Sequence, residues 1–240
     1  MIFKSIAATH IGLVRKLNED AYAERSDIGV WVVADGMGGH AAGEVASKAV
    51  TDAIVGLAPH DNFDEMLETV KRCLKDTNQR LRKHADALAL ARAPGSTVVV
   101  LIINNSQGAV VWAGDSRVYR CRDKQLTQLT RDHSHVQSLV DQGFIKAEEA
   151  ESHPLANIIT RAIGILEPVD LDSRQFEVLP GDQFVLCSDG LTRMVSNQEI
   201  ESAMTSLSSD KAVQSLLQSA LDNGASDNVT LIHVTDHETY

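Results

Sequence analysis

The chain has few cysteines, and their spacing excludes several kinds of site. Its 240 residues include three, Cys73, Cys121 and Cys187, an odd number without a Cys-x-x-Cys pair. Disulfide-stapled secreted domains and structural zinc sites depend on closely spaced Cys or His residues. We therefore expect reduced thiols in a cytoplasmic protein without zinc, with Cys187 as a small core residue.

Positive charge and long apolar runs are also scarce. The chain has 22 Lys and Arg against 33 Asp and Glu, a formal net charge of -11. Nucleic acids and anionic membranes attract clusters of Lys and Arg, so we expect neither as a partner. No apolar segment reaches the roughly 18 residues of a membrane helix. The first five residues also lack the apolar core of a signal peptide.

The pattern of apolar residues predicts many strands and a few helices. Strands are predicted over residues 3–9, 20–24, 30–34, 97–103, 109–113, 118–121, 175–179, 183–187 and 228–234. Helices are predicted over residues 41–57 and 210–221, after a cap at Asp61-Asn62, and after a capping box formed by Ser196 and Glu199. Because helices and strands are segregated rather than alternating, we predict an α+β fold of antiparallel sheets covered by helices.

We predict a single domain over residues 1–236, followed by a tail of residues 237–240. Residues 133–164 interrupt the regular pattern and are predicted to form a partly helical surface segment near a site. Three histidines of this segment, His133, His135 and His153, are expected to be solvated loop residues.

Acidic residues stand where strands begin or end. The five positions are Glu19-Asp20, Asp35, Asp115, Asp189 and Asp227. A carboxylate at the end of a buried strand is costly unless something pairs with it, and Mg²⁺ and Mn²⁺ prefer such oxygen ligands. Taken singly, Asp115, Asp189 and Asp227 are better explained as turn residues or caps. Taken together with Asp35, they favour a shared cation site, and Arg15 could hold a phosphate beside it.

A nucleotide-binding loop is the alternative for the glycines after Asp35. The stretch from Gly36 to Ala41 formally fits G-x-G-x-x-A, the dinucleotide fingerprint, between a strand and a helix. Asp35 would place a carboxylate beside the pyrophosphate, however, and the next elements are a helix and a hairpin rather than a returning parallel strand. The element order therefore disfavours this alternative.

Six short motifs together resemble the PP2C family of metal-dependent protein serine/threonine phosphatases, in its compact bacterial form. They cover residues 14–20, 34–40, 95–97, 114–117, 188–190 and 226–230, in the order typical of the family. The resemblance implies a four-layer α-β-β-α sandwich of two antiparallel sheets flanked by helices. It also implies a centre of two Mn²⁺ or Mg²⁺ ions, with a third ion in bacterial relatives.

The resemblance assigns metal ligands residue by residue. Asp35 matches the residue that bridges both ions, and the carbonyl of Gly36 binds one of them. The remaining expected ligands are Asp189 and Asp227 for the other ion, Asp115 with Asp189 for the third ion, and Glu19 and Asp20 directly or through water. Arg15 matches the phosphate-binding arginine, Ser116 and Asn228 match supporting residues, and residues 133–164 match the family's flap.

One position departs from the animal members of the family, which carry a histidine directly after Asp-Gly as general acid. Met37 stands there in this chain, and a thioether cannot donate a proton. His40 is the candidate replacement, and a metal-bound water is the competing acid.

The resulting hypothesis is hydrolysis of phosphoserine and phosphothreonine by a water that bridges the two ions. We expect phosphoproteins as substrates, a monomer, and a cognate bacterial eukaryotic-like Ser/Thr kinase whose action the enzyme reverses. The alternative from another class is a catalytically silent relative that only binds phosphoproteins.

Overall fold

The described residues of this computed structural model, 1–38, 42–90, 93–150 and 153–236, form strands and helices in the segregated order expected. The strands are β1 (Phe3–His10), β2 (Asp20–Arg25), β3 (Val30–Met37), β4 (Gly95–Ser96), β5 (Val98–Asn104), β6 (Gln107–Ala113), β7 (Arg117–Arg122), β8 (Gln125–Gln128), β9 (Asp172–Glu177), β10 (Gln183–Cys187) and β11 (Val229–Asp236). The helices are α1 (Ala42–Val55), α2 (Phe63–Ala87), α3 (His135–Asp141), α4 (Asp189–Thr192), α5 (Asn197–Ser206) and α6 (Ser209–Asp222).

The strands form two antiparallel sheets. One has the order β1-β11-β10-β7-β8, and the other has the order β2-β3-β5-β6-β9, with the short β4 paired to β3. The predicted α+β class and the antiparallel pairing are therefore confirmed.

The central strands are apolar on both faces because each sheet is covered on both sides. In β3, Val30 and Val32 pack with Val50 of α1, whereas Trp31 and Val33 pack with the other sheet. On the far side of that other sheet, a third core packs strand residues against α5 and α6. Alternating side chains point to opposite faces of a strand, so this pattern produces the four-layer α-β-β-α sandwich.

Local signals correctly located the helix starts. Asn62 caps α2 by accepting a hydrogen bond from the backbone N–H of Glu65 at 3.1 Å. Ser196 and Glu199 form the predicted capping box at the start of α5. Both caps satisfy backbone donors that a helix leaves free in its first turn.

Several boundaries differ from the prediction. Helix α1 ends at Val55, two residues early, and β9 covers Asp172–Glu177 rather than residues 175–179. The short elements β4, β8, α3 and α4 were not predicted individually. Elements of two to seven residues carry too little periodicity to be recognised, and β4 and β8 depend on pairing with distant strands. None of the described helices is both long and apolar enough to cross a membrane.

Candidate metal centre

Carboxylates from both sheets meet at one end of the sandwich. Asp20 and Asp35 are register partners where β2 pairs with β3. In the other sheet, Ser188 at the end of β10 donates from Oγ to Asp20 Oδ2 at 2.8 Å. Asp189 is the next residue, and Asp227 lies just before β11, the strand that pairs with β10. The ends of these strands therefore form one acidic cluster.

Burial raises the pKa of four carboxyl groups in this cluster. The pKa rises to about 7 for Asp20 and for Asp115, and it also rises for Asp189. The pKa of Asp35 is raised well above its usual value, first by burial and then by repulsion from Asp20 and Asp189. Because each negative charge disfavours the next, a bound cation would stabilise the ionised cluster near neutral pH.

Two oxygens of the cluster are buried without a hydrogen-bond partner among the described residues: Asp115 Oδ1 and Asp189 Oδ1. The second oxygen of each carboxylate is near Arg193, whose Nη2 lies 2.5 Å from Asp189 Oδ2 and 4.0 Å from Asp115 Oδ2. Buried polar atoms are normally satisfied, so these orphaned oxygens fit a cation that prefers oxygen ligands.

Gly36 lies where the chain leaves β3 towards α1, and no larger residue fits. A Cβ at this position would lie 2.1 Å from the carbonyl oxygen of Gly43 and 2.5 Å from that of Glu19. The backbone N–H of Gly36 donates to the Glu19 carbonyl at 3.1 Å. The close approach of three backbone segments places the Gly36 peptide directly beside Asp35.

Glu19 is engaged with the protein itself. Its Oε1 accepts a hydrogen bond from the backbone N–H of Gly43 at 3.1 Å, at the start of α1. A carboxylate at this place caps the helix and complements its dipole. Glu19 therefore ties α1 to the β1–β2 loop, the segment between those two strands.

Asn228 ties the same loop to the start of β11. Its Oδ1 accepts from the backbone N–H of Glu19 at 2.7 Å, and its Nδ2 donates to the carbonyls of Ile11 and Leu17 at 2.9 and 3.0 Å. Because Arg15 lies between these anchors, Asn228 fixes the loop that carries the arginine.

Ser116 supports Asp35 through Thr97. The Ser116 and Thr97 hydroxyls are 2.8 Å apart, and Thr97 Oγ1 accepts from the backbone N–H of Asp35 at 3.0 Å. The expected supporting positions of Ser116 and Asn228 thus have clear contacts, and neither side chain is free.

Arg15 and Asp227 form an ion pair at the edge of the cluster. Arg15 Nη2 donates to Asp227 Oδ2 at 2.6 Å, and the arginine side chain is 51% exposed. An exposed guanidinium beside the acidic cluster is accessible to an incoming anion.

The carboxylates of the cluster also contact other side chains. Among the described residues, no three His, Cys, Asp or Glu side chains form a ready-made metal-binding group. Asp20, Asp189 and Asp227 each direct one oxygen to Ser188, Arg193 and Arg15, respectively. His40 lies outside the described residues.

A sequence model described as protein phosphatase 2C matches residues 12–230, almost the whole chain. The chain belongs to the protein phosphatase 2C family. It is 35% identical over 232 residues to the serine/threonine protein phosphatase PstP of Mycobacterium tuberculosis, covering 97% of this chain but 45% of PstP. It is 36% identical over 237 residues to the protein phosphatase PhpP of Streptococcus pneumoniae, covering 96% of each.

Solved structures of bacterial proteins share this fold. PppA, described as a key regulatory component of the T6SS in Pseudomonas aeruginosa, has 37% identity and a TM-score of 0.91 over 98% of each chain. The catalytic domain of PstP, solved in complex with two manganese ions, has 33% identity and a TM-score of 0.88 over 98% of this chain and 99% of the other.

The flap of this protein phosphatase 2C chain is anchored by His133, which is buried rather than solvated as expected. Its ring stacks on Trp112 at 5.9 Å, and its Nδ1 accepts from the Gly114 backbone N–H at 3.2 Å. Its Nε2 lies 3.1 Å from Asp172 Oδ2, a residue that also pairs with Arg161. The prediction for His133 was wrong because these partners are distant in sequence.

Three further contributors to the site were not predicted: Thr97, Ser188 and Arg193. Arg193 had a local signal, since it stands four residues after Asp189, the spacing at which helical side chains pair. Cys187 also stands six residues before Arg193, the Cys-x5-Arg spacing of a nucleophilic cysteine loop. Cys187 is fully buried, and burial raises the pKa of its thiol to about 12, so it is a core residue and not a nucleophile.

Proposed function

We propose that this chain is a metal-dependent protein serine/threonine phosphatase that hydrolyses phosphoserine and phosphothreonine with Mn²⁺ or Mg²⁺. The observation that carries the proposal is the cluster of buried carboxylates, with two unpartnered oxygens among the described atoms and an exposed Arg15 at its edge. The membership in protein phosphatase 2C and the named phosphatases PstP and PhpP support the same activity.

The residues present fit two divalent cations. Asp35 and the carbonyl of Gly36 would help to hold them, and Asp115 would help to hold a further ion. The other ligands would be Asp189, Asp227, and Glu19 and Asp20 directly or through water. When bound, such cations supply the Lewis acidity that activates water and neutralises the phosphoryl oxygens. Since Glu19 already caps α1, we assign it an indirect role.

Arg15 is the proposed phosphate-binding group. Its guanidinium contacts Asp227 at 2.6 Å. If Asp227 held a cation, the guanidinium would be able to donate two parallel hydrogen bonds to the phosphate oxygens of a substrate. The same exchange of partners would make Asp227 available to the cation and Arg15 available to the phosphate.

His40 is the proposed proton donor to the leaving alkoxide, since Met37 has no proton to give. A poor leaving group needs this proton and a nitrophenolate does not. His40→Ala should therefore lose much more activity on a phosphothreonine peptide than on p-nitrophenyl phosphate. Equal losses on both substrates would assign the acid elsewhere.

Phosphate release from a phosphothreonine peptide tests the activity directly. Release should require added Mn²⁺ or Mg²⁺ and stop with EDTA, and Asp35→Asn should abolish it while the circular dichroism spectrum stays that of the folded protein. Hydrolysis without divalent ions, or full activity of the variant, would contradict the proposal. Peptide binding without phosphate release would instead identify a catalytically silent binding protein.

We further propose that the substrates are products of a Ser/Thr kinase and that the protein acts as a monomeric domain of residues 1–236. The bacterial relatives PstP, named a serine/threonine protein phosphatase, and PhpP, named a protein phosphatase, support phosphoproteins as substrates. Light scattering should give a mass near the 26.0 kDa of one chain. A neighbouring kinase gene, with a kinase product that this enzyme dephosphorylates, would identify the partner.

A further inference from the structure

We propose that Arg193 is a built-in counter-cation that lowers the affinity of the Asp115–Asp189 pair for a divalent ion. The inference rests on the metal centre of the proposed function and assigns a positioning role to a residue outside the expected ligand set. Arg193 would hold the two carboxylates together in the ion-free protein and weaken the uptake of an additional ion.

The geometry places a positive charge between the two carboxylates. Arg193 follows directly after α4, and its backbone N–H donates to the Asp189 carbonyl at 2.9 Å. Its Nη2 lies 2.5 Å from Asp189 Oδ2 and 4.0 Å from Asp115 Oδ2. One guanidinium nitrogen therefore faces both side chains, of which Asp189 begins α4 and Asp115 lies between β6 and β7.

A second arginine near the two carboxylates, Arg117, already forms an ion pair elsewhere. Arg117 lies close to Asp189 but forms a bidentate pair with Asp132, with contacts of 3.0 and 2.7 Å to its two oxygens. In the described part of the chain, the ion pairs of Asp115 and Asp189 both go to Arg193. The pair of carboxylates thus carries two potential negative charges against one direct positive partner.

Arg193 uses only one oxygen of each carboxylate. Asp115 Oδ1 and Asp189 Oδ1 are buried and have no hydrogen-bond partner among the described atoms. A divalent ion that binds these oxygens would lie within a few ångströms of the guanidinium and would be repelled by it. A unit positive charge about 6 Å from a divalent ion lowers the affinity for that ion by roughly tenfold in a water-like medium, and by more where the site is buried.

The proposal predicts that replacing Arg193 strengthens Mn²⁺ binding but lowers the melting temperature of the protein without bound ions. Arg193→Gln removes the repulsion, so Mn²⁺ should bind the Asp115–Asp189 pair about tenfold more tightly. The same change leaves two buried carboxylates facing each other without a cation, so the ion-free variant should melt at a lower temperature. Arg193→Lys keeps the charge and should resemble the wild type in both respects.

Calorimetric titration of chelator-stripped protein with Mn²⁺, combined with thermal unfolding with and without Mn²⁺, measures both effects. Arg122→Gln is the matched control, because Arg122 pairs with Asp182 at 2.6 Å away from the centre and is 26% exposed against 29% for Arg193. The control should lower the melting temperature equally in both conditions and leave Mn²⁺ affinity unchanged.

The expected result is tighter Mn²⁺ binding and a larger Mn²⁺-induced rise in melting temperature for Arg193→Gln only. Equal Mn²⁺ affinity and an equal rise in the wild type and Arg193→Gln would overturn the role of Arg193 while leaving the metal centre intact. Weaker Mn²⁺ binding by Arg193→Gln would also overturn it. If neither protein bound Mn²⁺, the metal centre of the proposed function would fail, and this inference with it.

Discussion

Arg15 and Asp227 neutralise one another at the edge of the carboxylate cluster, and each has a second proposed partner. Their contact of 2.6 Å involves an arginine that is half exposed. Solvent weakens an ion pair of this kind, so its two members can separate at little cost. The proposed exchange of partners at this pair would therefore cost little free energy.

Arg15→Ala should lower kcat/KM for a phosphothreonine peptide by about 10- to 100-fold, because a charge-assisted hydrogen-bond pair contributes roughly 1.5–3 kcal/mol. Mn²⁺ affinity should not fall, since Asp227 loses only a competitor. Steady-state kinetics together with Mn²⁺ titration checks both expectations. Arg25→Ala removes an arginine paired with Asp27, far from the cluster, and should leave kcat/KM unchanged. Unchanged kinetics for Arg15→Ala would contradict the phosphate role.

At the scale of elements, the site depends on loops that strands and helices hold in place. The β1–β2 loop carries Arg15, and Asn228 at the start of β11 binds that loop at three backbone groups. The flap is held in the same way, since His133 and Thr160 are joined by a backbone hydrogen bond of 2.7 Å and Ile163 pairs with Ser96. The positions of these two segments therefore depend on Asn228 and on backbone pairing with the strands.

Asn228→Ala should loosen the β1–β2 loop without unfolding the sandwich. The change leaves the Ile11 and Leu17 carbonyls and the Glu19 N–H without their partner, and a buried group left unsatisfied costs roughly 1–3 kcal/mol. Hydrogen exchange should become faster at residues 11–19, and the free energy of urea unfolding should fall. Asn223→Ala is the control, because the Asn223 side chain makes a single exposed bond to the Met194 carbonyl. Unaltered exchange at residues 11–19 would argue against the anchoring role.

Sequence reasoning succeeded where the signal is local and failed where the partner is distant. Asp35 and Asp189 were recognisable because each follows an apolar strand and precedes glycine, a pattern contained in a few residues. The capping box at Ser196 is equally local. By contrast, the burial of His133 depends on Trp112 and Asp172, and β8 exists only because it pairs with β7. No short window of sequence contains these partnerships.

At the scale of the whole molecule, a buried histidine within one sheet makes the stability of the fold depend on pH. His233 lies in β11 at the interior of its sheet, fully buried, with its Nε2 3.0 Å from Gln183 Oε1 on β10. Burial lowers the pKa of this histidine from 6.5 to about 4. Between about pH 4 and pH 6.5, His233 is therefore mostly neutral in the folded protein, whereas the same histidine is mostly protonated in the unfolded chain.

This difference makes the sandwich sensitive to acid at one residue. The pKa of His233 is lower in the folded protein than in the unfolded chain. The free energy of unfolding is therefore unaffected by this histidine above pH 6.5, and it decreases as the pH falls from 6.5 towards 4. Between pH 7.5 and pH 5 the wild type should lose about 2 kcal/mol of unfolding free energy through this group. His233→Gln cannot take up the proton, so its loss over the same range should be smaller by that amount. Urea unfolding at the two pH values in EDTA measures the difference and removes any contribution of bound cations. If the wild type and His233→Gln lost the same free energy of unfolding between the two pH values, protonation of His233 would not explain the loss of stability in acid.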